Sequence, residues 1–144
     1  VGLLAMDIDH FKAVNATHGH AAGDEVLKEF AARIKRCVRF IDLAARTGGE
    51  EFVVIMPDST REACMAVAER LREAIEEAAV PVPDQDIEIP ITVSIGVTVS
   101  LGGTDKPATL LRRGDDALYT AKNTGRNRAG FYEEEETTAT AQGA

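Results

Sequence analysis

Two clusters of carboxylates carry most of the chemical potential of this chain. Gly48-Gly49-Glu50-Glu51-Phe52 sets two glycines directly before two glutamates and an apolar run that continues through Val53-Val54-Ile55-Met56. With Ala44-Ala45-Arg46-Thr47 in front, the pattern predicts a β-hairpin, about 42–47 and 51–56, with an acidic tip. Glycine permits the open backbone angles of such a turn and leaves room for a bulky ligand. Glutamates at a hairpin tip pack poorly but suit a divalent metal. The second cluster, Asp7-Ile8-Asp9, ends an early apolar strand.

The elements that must bring these clusters together follow from the hydrophobic pattern. Residues 2–8 read as a buried central strand. Asp9 is expected to cap a short helix from His10 to about Ala16, and Gly19 and Gly23 break the chain before a helix of roughly 22–39. On that helix Val26, Leu27, Phe30, Ile34 and Val38 form one apolar stripe. After Pro57, Ser59-Thr60-Arg61-Glu62 has the form of a capping box, opening a helix to about Ala79. Its inward face is Ala63, Val67, Leu71, Ala74, Ile75 and Ala78. Residues 87–99 alternate Ile/Val with polar side chains, predicting one long strand covered on a single face. A last helix starts at Pro107 and ends by Gly125, and Arg128 to Tyr132 form a final strand. The order β-α-α-β-β-α-β-α-β predicts an α+β fold with an antiparallel-rich sheet flanked by helices, close to a ferredoxin-like split βαβ. If the first strand lies antiparallel to the second hairpin strand, Asp7 meets Glu50 and Glu51. Three carboxylates at one sheet edge repel unless a cation joins them, and Mg²⁺, singly or as a pair, is the natural choice.

Composition bounds the rest. The 144 residues, 44% apolar and 28% charged, fit one soluble domain with a net charge of −8. Glu133 to Glu136 place part of that charge on residues 133–144, expected to be a disordered tail after a domain of 1–132. No basic face for duplex nucleic acid is expected, nor any membrane contact. Cys37 and Cys64 fall within predicted helices without metal-ligand spacing, as buried free thiols of a reducing cytoplasm would. The chain opens abruptly on a strand and is expected to be a piece of a longer protein.

Several further motifs stand in a fixed order. They are Asp7-Ile8-Asp9-His10-Phe11-Lys12, Asn15, Gly19-His20, Gly23-Asp24, the Gly-Gly-Glu-Glu-Phe hairpin, Ser94-Ile95-Gly96-Val97, Asp115-Asp116-Ala117-Leu118-Tyr119, Ala121-Lys122 and Gly125-Arg126-Asn127. From about residue 3 to 128 this series resembles the GGDEF family of diguanylate cyclase domains, with a palm-like nucleotidyl cyclase fold. The resemblance implies condensation of two GTP to cyclic di-GMP and two pyrophosphates, one GTP presented by each subunit of a homodimer. It further implies two Mg²⁺ per site, with Mn²⁺ as a substitute, held by Asp7, Glu50 and the Ile8 carbonyl, with Glu51 as a second acidic group. Glu50 is then the candidate base for the 3′-hydroxyl, and Lys12 offsets charge at transfer. Asn15 and Asp24 would read guanine with His20 nearby. Lys122, Arg126 and the main chain of Phe11 and Lys12 would meet phosphates, and Gly48 and Gly49 would give the substrate room.

Arg39-Phe40-Ile41-Asp42 resembles the family's RxxD product-inhibition site, with Arg70 as a second arginine. An upstream receiver or sensory domain is also implied. The chain departs from the family at Ala16 and His18, and it lacks the family's opening helix, so one sheet face is expected to lose cover. Plainer readings stand beside these. Asp24 could cap a helix, Lys122 and Arg126 could serve a helix dipole, Arg39 and Asp42 could form a surface ion pair, and His10 and His18 could be structural or solvent-facing. The competing functions are a cyclic di-GMP receptor, a dimerisation module and, weakest, an ATP-using cyclase.

Overall fold

A computed structural model of the chain describes residues 1–100 and 105–133. The expected tail from 134 onward lies outside the described residues. The chain runs β1 (Gly2–Ile8), α1 (Phe11–His18), α2 (His20–Cys37), β2 (Leu43–Arg46), β3 (Glu51–Met56), α3 (Arg61–Glu77), β4 (Val80–Val82), a 3-10 turn (Pro83–Gln85), β5 (Ile87–Ile89), β6 (Val93–Val99), α4 (Pro107–Asn123) and β7 (Arg128–Phe131). Five strands form the central sheet in the order β2-β3-β1-β6-β7, and β4 and β5 form a separate two-stranded ribbon. Every pairing is antiparallel except β6 with β7. This is the α+β architecture anticipated, with the apolar β1 at its centre, buried along its whole length.

Alternation along β1 divides the core into two layers. Leu4, Met6 and Ile8 face α2 and α3, meeting Val26, Phe30, Ile34, Val67, Leu71 and Ile75 together with Phe52 and Val54 of β3. The Phe30 and Phe52 rings meet edge to face at 4.9 Å. Leu3 and Ala5 face the other way, toward Leu110 and Leu118 of α4. There α4 lies almost on the sheet: a Cβ added to Gly96 would sit 2.3 Å from Gly114 O and 2.3 Å from Leu118 N. The β2–β3 half of this face is open, an apolar groove of about 480 Å³ lined in part by Leu3, Val53, Ile55, Leu110 and Leu111.

Four expectations need correction. Residues 87–99 are two strands, because Pro90 offers no N–H to a ladder and the chain turns from the ribbon into the sheet there. Nor is β6 covered on one face only, since Ser94 and Thr98 are 0% and 1% exposed beneath α4. Thr60, not Ser59, caps α3, accepting from Ala63 N–H at 3.1 Å, while the Ser59 hydroxyl donates to Pro57 O. Asp9 caps nothing: the N-cap of α1 is His10, in a left-handed conformation with no side-chain cap bond.

One long-range tie was invisible in the pattern. Arg33, buried on α2, donates to the carbonyls of Ala74, Ile75, Ala78 and Ala79 at the end of α3 while paired with Glu29 at 2.8 Å. Those carbonyls are among the acceptors a helix end leaves unmatched, so one guanidinium locks α2 to α3. Cys64 is buried and Cys37 only half-buried, and both are free thiols. Burial pushes both pKa values up, against the lowering influence of Arg70 on Cys37 and of the N-terminus on Cys64.

Candidate active site

The two acidic clusters meet through strand pairing. β1 runs antiparallel to β3 with Asp7 opposite Glu51, so the end of one strand lies beside the start of the other. The hairpin turn between β2 and β3 is closed by Thr47 N–H to Glu51 O at 2.9 Å. Arg46 clamps it from the side, its guanidinium reaching Gly48 O at 3.0 Å and Gly49 O at 2.7 Å. Arg46 was missed in the sequence reading, although an arginine placed just before a glycine pair is well situated to hold the pair's carbonyls.

A cleft of about 490 Å³ opens where β1 runs into α1, and Asp7, Ile8, Phe11, Lys12, Glu50, Lys122 and Arg126 line it. These residues come from the end of β1, the start of α1, the hairpin tip, the last turn of α4 and the turn that follows. Asp7 is 4% exposed; its Oδ2 pairs with the Lys122 ammonium, and its Oδ1 is buried without a partner. The first N–H groups of α1 have no acceptor within their own helix, and Phe11 and Lys12, where that helix starts, line this cleft.

The expected convergence of three carboxylates is not found. Among the described residues no group of three His, Cys, Asp or Glu side chains comes close enough to hold a metal. Glu51 is exposed and folds back on the hairpin, its Oε2 lying 3.4 Å from where a Gly48 Cβ would stand. Lys122 rather than a third acid is the neighbour of Asp7, which removes repulsion by placing opposite charges together. The donor set still fits Mg²⁺. That ion usually takes one or two carboxylates and fills its remaining positions with water and substrate phosphates. Asp7, with its orphaned Oδ1, and Glu50 on the same cleft supply those two carboxylates.

The second expected group lies between α1 and α2. Asn15 Oδ1 is also buried without a partner, and it rests against Gly23, where an added Cβ would stand 1.9 Å away. Asp24 follows Gly23, exposed and a full turn into α2, so it is not the helix cap; that place belongs to Gly19. His20 is exposed at the start of the same helix.

The Arg39–Asp42 pair stands apart from the cleft and is more than a loose surface contact. Arg39 donates to both Asp42 oxygens, to Pro57 O at 2.9 Å and to Ser59 Oγ at 2.7 Å. The Asp42 side chain is 0% exposed. Burial alone would raise its pKa, but the Arg39 bonds outweigh that and hold it below the ordinary carboxylate range. Phe40 and Ile41 between them point outward, and Arg70 is exposed on α3. Among the described residues no helix is long and apolar enough to cross a membrane.

Comparison with known proteins agrees with this architecture. The family model described as diguanylate cyclase, GGDEF domain, matches residues 1–128. The response regulator PleD of Caulobacter vibrioides is 47% identical over 127 residues, 88% of this chain and 28% of that protein. Diguanylate cyclase A of Treponema denticola is 45% identical over 128 residues, 89% of this chain and 34% of the relative. The crystal structure of the GGDEF domain of DgcB from Caulobacter crescentus, in complex with c-di-GMP, superposes with a TM-score of 0.86 at 34% identity, covering 92% of this chain and 78% of that one. The chain belongs to the GGDEF family of diguanylate cyclase domains. It spans about a third of the length of these curated relatives.

Proposed function

We propose that this domain, within a longer cytoplasmic protein, condenses two molecules of GTP into cyclic di-GMP and releases two pyrophosphates. The observation that carries the reading is the cleft itself. One buried carboxylate with an unpartnered oxygen, a second at a glycine hairpin, three cations and a helix start all line a space of about 490 Å³. Opposite charges arranged this way suit a metal-bound triphosphate and little else.

In this reading Asn15 and Asp24 take the guanine edge, with His20 beside them. Asp24 accepts from N1–H and N2–H₂, donors that adenine does not present in that pattern. The unpartnered Asn15 oxygen supports this role, since a buried acceptor without a donor is costly in the free protein. Lys122 exchanges Asp7 for phosphate oxygens, and Arg126, Lys12 and the first N–H groups of α1 hold the remaining negative charge. Asp7, the Ile8 carbonyl and Glu50 would hold two Mg²⁺ ions, with Glu51 as a further acidic group, and Mn²⁺ would substitute for either. When bound, the metals neutralise the triphosphate and lower the pKa of the attacking hydroxyl. The 3′-hydroxyl of each GTP forms a bond to the α-phosphorus of the other, so two bonds to pyrophosphate break, and each hydroxyl proton leaves toward a Glu50 carboxylate. Two subunits facing one another each supply one GTP, and a receiver or sensory domain elsewhere in the protein controls their meeting. Incubation of the purified chain with GTP and Mg²⁺ yields cyclic di-GMP and pyrophosphate, and ATP in its place yields no cyclic product. Product binding without turnover would replace this reading with that of a receptor.

Two substitutions probe the reading. Gly23→Ala drives a methyl into the Asn15 amide and displaces it, weakening GTP binding about tenfold or more and narrowing discrimination against ATP. Titration calorimetry with both nucleotides reads this directly. Arg39, Asp42 and Arg70 form the product-inhibition site, so Arg39→Ala should relieve inhibition by added cyclic di-GMP. The same variant carries a second signature. The Asp42 pKa is depressed in the folded state, so the pair stabilises the protein at neutral pH, and that contribution is lost as pH falls through and below the carboxylate range. Acid unfolding curves of Arg39→Ala therefore lack this part of the wild-type pH dependence.

A further inference from the structure

Asp9 is a buried carboxylate that this chemistry leaves without a task. It is 5% exposed, and none of its partners is a cation. Its Oδ2 accepts from Thr92 Oγ1 at 2.7 Å and from the main-chain N–H of Asn127 at 3.0 Å, and its Oδ1 accepts from Ser94 Oγ at 2.6 Å. The two hydroxyls belong to the approach to β6 and to β6 itself. The bond to Asn127 is different, because it reaches across to the turn between α4 and β7.

That turn is conformationally expensive. Gly125, Arg126 and Asn127 hold φ of 134, 59 and 45°, three successive residues in the left-handed half of the map. A side chain at Arg126 and at Asn127 makes that conformation unfavourable, so the surroundings must hold them. From above, Arg126 N–H binds Ala121 O at 3.0 Å. From the side, the Asn127 amide donates to Glu76 at 2.7 Å and accepts from Arg72 at 3.1 Å. Arg128 Nε donates to Arg126 O at 3.1 Å, and Asp9 holds the Asn127 N–H. The outcome is that Arg126 lines the same cleft as Asp7, Glu50 and Lys122.

We propose that Asp9 is a positioning residue which, by anchoring the Asn127 N–H, fixes the turn that presents Arg126 to the triphosphate. This rests on the nucleotide reading of the cleft. The carboxylate is buried where β1, β6 and the α4–β7 turn meet, and there it serves as acceptor to two hydroxyls and one N–H. Asp9 itself borders the cleft, but its two oxygens are already taken by these three donors. Without it the turn relaxes toward negative φ and Arg126 leaves the cleft.

A double-mutant cycle tests this with guanosine 5′-(α,β-methylene)triphosphate, which cannot be cleaved at the reacting bond, its affinity measured by calorimetry in Mg²⁺. Asp9→Ala and Arg126→Ala should each weaken binding about tenfold, and the double variant should also be about tenfold weaker, since both changes remove the same contact. Asp9→Asn should stay near wild type, because its amide oxygen still reaches the Asn127 N–H while Ser94 turns to accept from the amide nitrogen. Should Asp9→Ala not fold, Asp9→Ser, which leaves a hydroxyl and room for water, takes its place in the cycle. A double variant about a hundredfold weaker, or an Asp9 variant lacking the N–H acceptor that binds like wild type, overturns the proposal while leaving the nucleotide reading intact. A wild-type chain that does not bind the analogue at all overturns both.

Discussion

On the proposed function, Glu50→Gln is expected to abolish cyclic di-GMP formation, lowering turnover about a thousandfold or more, while the chain stays folded. The loss follows from where the residue stands. Glu50 is half-buried on the cleft at the tip of a hairpin held by the Thr47–Glu51 main-chain bond and the Arg46 clamp rather than by its own side chain. Substitution at such a position changes stability by about 0.5 kcal/mol or less. The amide keeps the shape and removes the charge, so the cleft loses one of its two cation-binding carboxylates and its candidate base together. A thousandfold fall corresponds to about 4 kcal/mol of transition-state stabilisation, within the range of electrostatic and metal contributions. Circular dichroism together with a product assay separates the two effects. An Asp7 variant is less informative, since Asp7 is buried and ion-paired and its removal strands Lys122 as well.

The second large effect falls on stability. Gly96→Ala places a methyl 2.3 Å from two main-chain atoms of α4, neither of which can swing aside as a side-chain tip would. The helix must lift off the sheet, with a loss of about 3 kcal/mol. A domain of this size then melts roughly 10 °C lower. Because α4 carries Lys122 and leads into Arg126, any protein that still folds should also bind GTP less well. A melting temperature within a degree or two of wild type would show that α4 does not rest on β6 as described.

The elements that repeated a simple period were legible. β1 and the hairpin strands declared themselves as apolar runs broken at glycine and proline, and the antiparallel order followed from short connections. This is why the facing of Asp7 and Glu51 could be anticipated from strands so far apart in the chain. Failures came where a local signal had two meanings. An aspartate before a helix reads as a cap, yet Asp9 turns its oxygens to residues 83, 85 and 118 positions away, a preference that no local window contains. The alternation of residues 87–99 persists through the break because Ile or Val holds every second position in both β5 and β6, so only Pro90 marked the join. Ser94 and Thr98 look like a solvent face until a glycine-faced helix is placed over them. The Lys122 pairing likewise depends on where α4 comes to rest.

The cleft draws its members from positions 7, 12, 50, 122 and 126, and the Lys122–Asp7 tie alone spans 115 residues. No contiguous fragment of the chain contains enough of it to recognise a ligand. Recognition is therefore an all-or-none property of the assembled sheet, and nucleotide should add to the free energy of global opening rather than quieting one locality. Amide exchange ought to slow together in the strands at both margins, β2 and β7, when ligand is added.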